Sequence, residues 1–402
     1  MDEYLKTLLE QIRCKKARPY IRQELQNHME DQIEANIHAG MDYESAEKEA
    51  VKDMGDPVEA GISLDRIHKP QIAWKLLFMI ALISVAGIVT HIMIATHMDG
   101  ADAFASSRYV IHVLVGIVVM MVLYFMDYTL LARYSKLIAV ILLATCLLTL
   151  FFGVSINGMT YYMNIGGRVI SIQALMLFYV PIYGGVIYQY HGLGYKGVMK
   201  AVAWMALPVL LVIRMPATMT AGLMLTSMIV MLTIAVLKDW FIISKKKTIA
   251  GLWGIIMVLP VVSFFGMYFG NVLASYQKAR IQAFVSNTGD ANYLTATIRS
   301  FLKTNKMIGS SGADISEKLP GFNADYLLTY LSSTYGMIVA ILVCCVLAVL
   351  ILFVFGTALK QKNQLGMMMG CGCGMIFLVS FLINVLENLG AFPPTATFLP
   401  FL

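Results

Sequence analysis

The chain has 402 residues, 58% apolar and 13% charged, with a formal net charge of +6. A soluble globular domain carries about 25% charged residues, so the composition excludes an ordinary soluble protein, and it excludes disordered and collagen-like chains too. The 6 cysteines are too few and too scattered for a disulfide-built scaffold, which leaves an all-α polytopic membrane bundle.

Charge divides the chain. Residues 1–70 carry a net charge of −5 and residues 71–402 a net charge of +11. The first segment reads as a small cytosolic helical domain. Tyr4, Leu5, Leu8, Leu9 and Ile12 recur at helical spacing, Pro19 suits the first turn of a second helix, and Gly40 stops it. A third helix runs from about Glu44 to Gly55, and Asp56-Pro57 opens a fourth that reaches Ile67. The start has no basic-then-apolar secretory pattern, so this domain is expected to remain in the cytoplasm.

From residue 71 onward come apolar stretches close to the roughly 20 residues needed to cross a bilayer. Nine are expected, at about 72–95, 109–127, 136–154, 173–190, 199–213, 217–237, 249–273, 325–356 and 367–390. With the amino terminus inside, inner connections carry Arg133, Lys136, Lys196, Lys200, Lys238, Lys245 to Lys247, Lys360 and Lys362, against Arg108, Arg168 and Arg214 in the short outer ones. That bias sets the orientation. The basic balance therefore belongs to the membrane surface, and no nucleic-acid partner is expected.

The outer connection at 274–324 is far longer than the rest, and long loops are usually functional. Within it Leu294, Ile298, Phe301 and Leu302 share one helical face while Arg299, Lys303 and Lys306 lie toward another, as in a helix lying on the outer membrane surface. The alternative is a merely solvated loop. Lys278, Arg280, Arg299, Lys303, Lys306 and Lys318 form an external basic set suited to a phosphorylated lipid or to anionic headgroups in general.

Ionisable groups at membrane depth are costly and few. Glu387 and Asn384 share a face of the ninth span, a patch that either lines a cavity or bonds a neighbouring helix. Asp325, after Leu319-Pro320-Gly321-Phe322-Asn323-Ala324, is either a helix N-cap or a general base at the rim of a cavity. His91, His97 and His112 have no ligand partners at metal spacing, and Gly309-Ser310-Ser311-Gly312 lacks the Lys of a P-loop. Gly366, Gly370 and Gly374 recur every fourth residue, as at a close helix contact.

YQKARIQAF at 276–284, KLPGFNADYLLTYLSSTYG at 318–336, NIGGRVISIQ at 164–173 and FLINVLENLGAFPPTATFLPF at 381–401 together resemble the FtsW/RodA/SpoVE (SEDS) family of cell-wall polymerases, in order across about 72–402. The resemblance implies a lipid II glycosyltransferase acting in division, elongation or sporulation. It sets Asp325 on the family's catalytic acid, Arg280 on its Arg, Gln173 on its loop Gln and Pro216 on its turn Pro. It further implies that Arg280, Lys278 and Arg299 hold the departing pyrophosphate, with Gln173, Asn384 and Glu387 as further substrate-binding groups. A divalent cation, Mg or Mn, is the one cofactor it suggests, and a class B penicillin-binding transpeptidase is the partner.

Departures from the family pattern are Thr160 and Tyr161 for an Arg pair, Ala217 for Asp, Gly321 and Asn323 for Glu and His, and Ser333 and Thr334 for a Glu pair. Family members continue into a tenth helix, so the chain is expected to be shortened or divergent after Leu402. IRQELQNHMEDQIEANIHAGM with AEKEAV, MGDP and LDRIHKP resembles the HAAS-type prefix domain associated with PadR-like regulators. Two alternatives to catalysis stand beside the polymerase. One is a non-catalytic relative that binds lipid-linked precursor or a partner and signals through residues 1–70; the other is a transporter of lipid-linked precursor.

Overall fold

The computed structural model describes residues 1–14, 17–68, 73–97, 101–126, 128–156, 159–215, 217–270, 278, 282, 293–312, 315–361, 363–395, 397 and 399–400. Its contacts divide into two compact units, Met1–Trp74 and Lys75–Leu402.

The first unit holds α1 (Asp2–Gln11), α2 (Arg18–His38), α3 (Tyr43–Asp53) and α4 (Pro57–His68). Each boundary has a local cause. Pro19 stands in the first turn of α2. The Asp42 carboxylate accepts the Ser45 N–H at the start of α3, and Asp56 accepts those of Val58 and Glu59 at the start of α4. Gly40 at φ +97° and Gly55 at φ +74° close the two preceding helices. Tyr4, Leu5, Leu8 and Ile12 bury their side chains with Ile21 and Met29. α1 and α4 touch so closely that a Cβ on Gly61 would lie 2.6 Å from the Leu8 carbonyl oxygen.

The second unit begins with α5 (Trp74–His97), α6 (Ala101–Phe125), α7 (Tyr128–Arg133) and α8 (Ser135–Phe152). A three-stranded antiparallel sheet follows, β1 (Val154–Ile156), β2 (Met159–Ile165) and β3 (Arg168–Ser171). Tyr162 pairs with Ser171 and Ile165 with Arg168. Gly166 and Gly167, both at positive φ, make the two-residue turn between β2 and β3, which demands left-handed backbone at both positions.

The chain continues through α9 (Ile172–Met176), α10 (Tyr179–Tyr188), α11 (Tyr195–Arg214), α12 (Thr218–Leu237), α13 (Lys245–Phe269) and α14 (Tyr293–Thr304). It ends with α15 (Leu327–Thr334), α16 (Met337–Leu359) and α17 (Gln364–Asn388). Among the described residues seven helices are long and apolar enough to cross a membrane: α5, α6, α8, α11, α12, α16 and α17. Their outward surface is apolar, with Leu114, Val118, Val122 and Phe125 of α6 and Leu352 of α16 exposed. Such a surface suits lipid and would aggregate in water. The protein is a multi-pass membrane protein.

Two expected spans take other forms. The stretch at 173–190 is the pair α9 and α10 rather than one helix. α10 lies within the bundle, with Tyr179, Val180, Tyr183, Val186 and Ile187 fully buried. Tyr183 donates its hydroxyl to the Ala201 carbonyl and Tyr179 donates to that of Trp204. A Cβ on Gly184 would meet Met231 at 3.0 Å, and one on Gly372 would meet Met231 at 3.0 Å and Pro181 at 3.1 Å, so glycines let α10, α12 and α17 close on one another. The glycine stripe of α17 also packs on α16, Gly370 against Ala358 and Gly374 against Phe355.

The stretch at 325–356 is broken into α15 and α16 at Gly336, which adopts φ +106° and ψ 158°. There the 306–309 segment crosses the break: Met337 N–H donates to Lys306 O and Gly309 N–H to Tyr335 O. The helix in the long loop forms as expected, but its apolar face does not lie on a membrane surface. Ile298 and Phe301 of α14 are buried against Leu319, Phe322, Leu327, Tyr330 and Leu331. Protein packing consumes that face because α15 and its leading turn lie directly beside it.

Candidate functional site

The last turns of α17 carry three buried polar side chains, Asn384, Glu387 and Asn388, exposed by 0%, 1% and 4%. Spacings of three and four residues place them on one face. Gly390 at φ +63° ends the helix, with its N–H on Glu387 O, and the chain returns so that Thr397 O accepts the Asn384 Nδ2 amide at 2.7 Å. Thr397 Oγ1 reaches Glu387 Oε1 at 3.5 Å. Glu387 Oε2 has no hydrogen-bond partner among the described residues.

Opposite this face stands the turn that leads into α15. Leu319 and Phe322 anchor it in the apolar cluster, and Gly321 at φ +80° folds it so that Ala324 and Tyr326 both donate backbone N–H groups to Gly321 O. The Asp325 main-chain carbonyl accepts Asn384 Nδ2 at 2.9 Å and Asn388 Nδ2 at 3.1 Å. Asp325 is half-buried, and its carboxylate has neither hydrogen bond nor ion pair among the described residues. The N-cap of α15 is Tyr326, which forms no side-chain cap bond, so Asp325 lies one residue outside the helix and does not cap it.

Burial raises the Asp325 carboxyl above the usual carboxylate range. The Tyr326 hydroxyl is raised too, first by burial and then by the negative charges of Glu387 and Asp325, so the three groups share one neighbourhood. A half-buried carboxylate with uncommitted oxygens and a raised pKa has the properties of a general base.

Of the residues singled out in the sequence, Asp325, Asn384 and Glu387 come together. Arg299 of α14 is adjacent, its Nε donating to Gly390 O at 2.9 Å just past the end of α17. Gln173 serves elsewhere, joining α9 to α12 through Thr220 Oγ1. Lys278 Nζ lies 5.6 Å from the centroid of the Tyr268 ring. Arg280 and Pro216 lie outside the described residues. Sequence reasoning missed Asn388 as a site member, along with Thr329 and Thr397. The i, i+4 spacing of Asn384 and Asn388 was the available signal; nothing local marks the two threonines.

Among the described residues no three His, Cys, Asp or Glu side chains cluster as a metal cage would require. A magnesium ion commonly takes one or two carboxylates and completes its shell with water and substrate phosphate, and the uncommitted Asp325 carboxylate fits that smaller demand.

The model of the FtsW/RodA/SpoVE family, described as "Cell cycle protein", matches residues 70–402. A probable peptidoglycan glycosyltransferase FtsW from Enterococcus hirae is 35% identical over 92 residues, which is 22% of this chain and 23% of that relative's own length. Among solved structures, a peptidoglycan synthase complex that coordinates polymerization and crosslinking shares the fold with a TM-score of 0.65 at 18% identity, over 82% of this chain and 92% of that one. The rod shape determining protein RodA of Thermus thermophilus aligns with a TM-score of 0.57 at 14% identity, over 83% and 90% of the two chains. Residues 70–402 thus carry both the family's pattern and its fold, and this chain belongs to the FtsW/RodA/SpoVE family of cell cycle proteins.

Proposed function

We propose that this chain is a peptidoglycan glycosyltransferase that polymerises lipid II at the outer face of the bacterial cytoplasmic membrane. Asp325 accepts the proton of the acceptor sugar hydroxyl. That oxygen attacks the anomeric carbon of a second lipid-linked disaccharide, the bond from that carbon to pyrophosphate breaks, and undecaprenyl diphosphate departs with its electron pair. Arg280, Lys278 and Arg299 offset charge on the departing pyrophosphate, while Asn384 and Glu387 complete the site around Asp325. A divalent cation, Mg or Mn, bound at Asp325 would supply further charge neutralisation to the phosphates. In this scheme residues 1–70 lie in the cytoplasm, where a PadR-like regulator is their partner, and a class B penicillin-binding transpeptidase crosslinks the product.

The observation that carries the proposal is the Asp325 carboxylate: half-buried, unpaired among the described residues, and held by its own main chain rather than by its oxygens. Support comes also from the family match and from the name of the Enterococcus relative. Purified protein supplied with lipid II and a class B transpeptidase tests it. Asp325→Asn is expected to lower polymerisation by about 10²–10⁴-fold, the range of a single positioned base; undiminished product from that variant removes the assignment.

A second reading, a non-catalytic relative that reports on precursor or partner through residues 1–70, is favoured by the engagement of Arg299 with Gly390 O. The uncharged residues Gly321, Asn323, Ser333 and Thr334 at positions the family charges favour it as well. Wild-type protein inactive with and without transpeptidase, yet retaining a regulator on residues 1–70, would select it.

A further inference from the structure

The main chain that carries the Asp325 carboxylate is held from α17 by a buried amide. α15 is an eight-residue helix whose N-cap contributes no side-chain bond, and a helix this short does not hold itself in place. Its first-turn N–H groups need acceptors from outside. Asn388, 4% exposed, supplies one from α17: its Oδ1 accepts both the Thr329 N–H at 2.9 Å and the Thr329 Oγ1 hydroxyl at 2.7 Å. The Nδ2 of the same amide donates to the Asp325 carbonyl at 3.1 Å, and it is itself oriented by Asn384 O at 2.9 Å and Asn384 Oδ1 at 3.1 Å. One buried amide therefore grips the main chain at Asp325 and again four residues later. Each grip spans about sixty positions of sequence, so neither is a consequence of local folding.

We propose that Asn388 is a positioning residue for Asp325, acting through the Asp325 carbonyl and the first turn of α15, with Thr329 as its partner. The proposal rests on the assignment of Asp325 as the base. Misplacing a catalytic group by about 1 Å can lower turnover about 10²-fold. Loss of the clamp is therefore expected to act on kcat, because the groups that bind substrate remain.

The test uses the full-length protein in liposomes with lipid II. Asn388→Ala, the isosteric Asn388→Asp and the milder Thr329→Val are compared with wild type, alone and with Asp325→Asn. Asn388→Ala is expected to lower kcat about 10–10²-fold while KM moves less than about 3-fold. Thr329→Val is expected to follow in the same direction with a smaller loss. Asn388→Asp keeps an acceptor for Thr329 but replaces the donor to Asp325 O, so it is expected to resemble Asn388→Ala. In the Asp325→Asn background Asn388→Ala is expected to cost nothing further, since the two act as one unit. Multiplicative losses in that double variant, or an unchanged kcat in Asn388→Ala and Thr329→Val when Asp325→Asn is inactive, overturn the proposal and leave the base intact. An active Asp325→Asn protein overturns the base and the positioning role together. Hydrogen exchange at 319–331 separates these outcomes from a clamp that never forms: it should rise in Asn388→Ala, and unchanged exchange refutes the clamp whatever the activity.

Discussion

Gly336→Ala should be among the most damaging single-methyl additions in this protein. Gly336 adopts φ +106° and ψ 158°, a region essentially reserved for glycine, and forcing another residue there costs about 1–3 kcal/mol. A Cβ would also lie 2.6 Å from Met307 O, 2.8 Å from Ile308 Cα and 3.0 Å from Gly309 N. All three are backbone atoms, held by the hydrogen bonds of Met337, Ile338 and Gly309 across the break, so none can swing aside; overpacking of this kind costs a further ~1–3 kcal/mol. The sum is about 2–6 kcal/mol, which at ~2–4 °C per kcal/mol corresponds to a fall in Tm of about 4–24 °C. Gly222→Ala is the control: Gly222 lies within α12 with nothing within 4 Å of its would-be Cβ, so alanine there should be neutral or stabilising by up to ~1 kcal/mol. Thermal unfolding of both variants in one detergent decides the matter. A Gly336→Ala protein that melts with wild type would refute the claim that this backbone conformation is obligatory.

Because burial raises the Asp325 pKa, the acid limb of the polymerisation rate should lie above the ordinary carboxylate range of about 4 and vanish in Asp325→Asn. The sign for stability is opposite. Between the unfolded and folded pKa values the folded state binds the extra proton, so the contribution of Asp325 is present at lower pH and is lost as pH rises through the folded value. The Tm of wild type should therefore fall relative to Asp325→Asn across that window. In the first unit Gly61→Ala would push a Cβ to 2.6 Å from Leu8 O and 2.8 Å from Gln11 Cβ. A cost of about 1–3 kcal/mol should appear as faster hydrogen exchange in α1 and α4 of the full chain, and unchanged exchange would contradict the close contact.

The membrane class follows from composition, because hydrocarbon admits only chains that satisfy their own backbone within apolar segments. The four N-terminal helices are equally local: Pro19, Asp42, Asp56, Gly40 and Gly55 act within a turn of where they stand. The β2–β3 hairpin was also written locally, in Gly166-Gly167, within a stretch that reads from the sequence only as the outer connection between the spans at 136–154 and 173–190. Asp325, Asn384 and Glu387 were legible as polar groups in an apolar chain, but their meeting was not.

What the sequence determined by itself was everything that propensity, capping and lipid solubility settle over a few residues. Only the tertiary structure decided that Gly336 breaks a span, that the apolar face of α14 meets protein rather than lipid, and that Asn388 holds Asp325. Those outcomes depend on hydrogen bonds and packing between segments tens of residues apart. No local pattern encodes them, because a buried amide or a strained glycine gains its energetic meaning only from the atoms the fold brings to it.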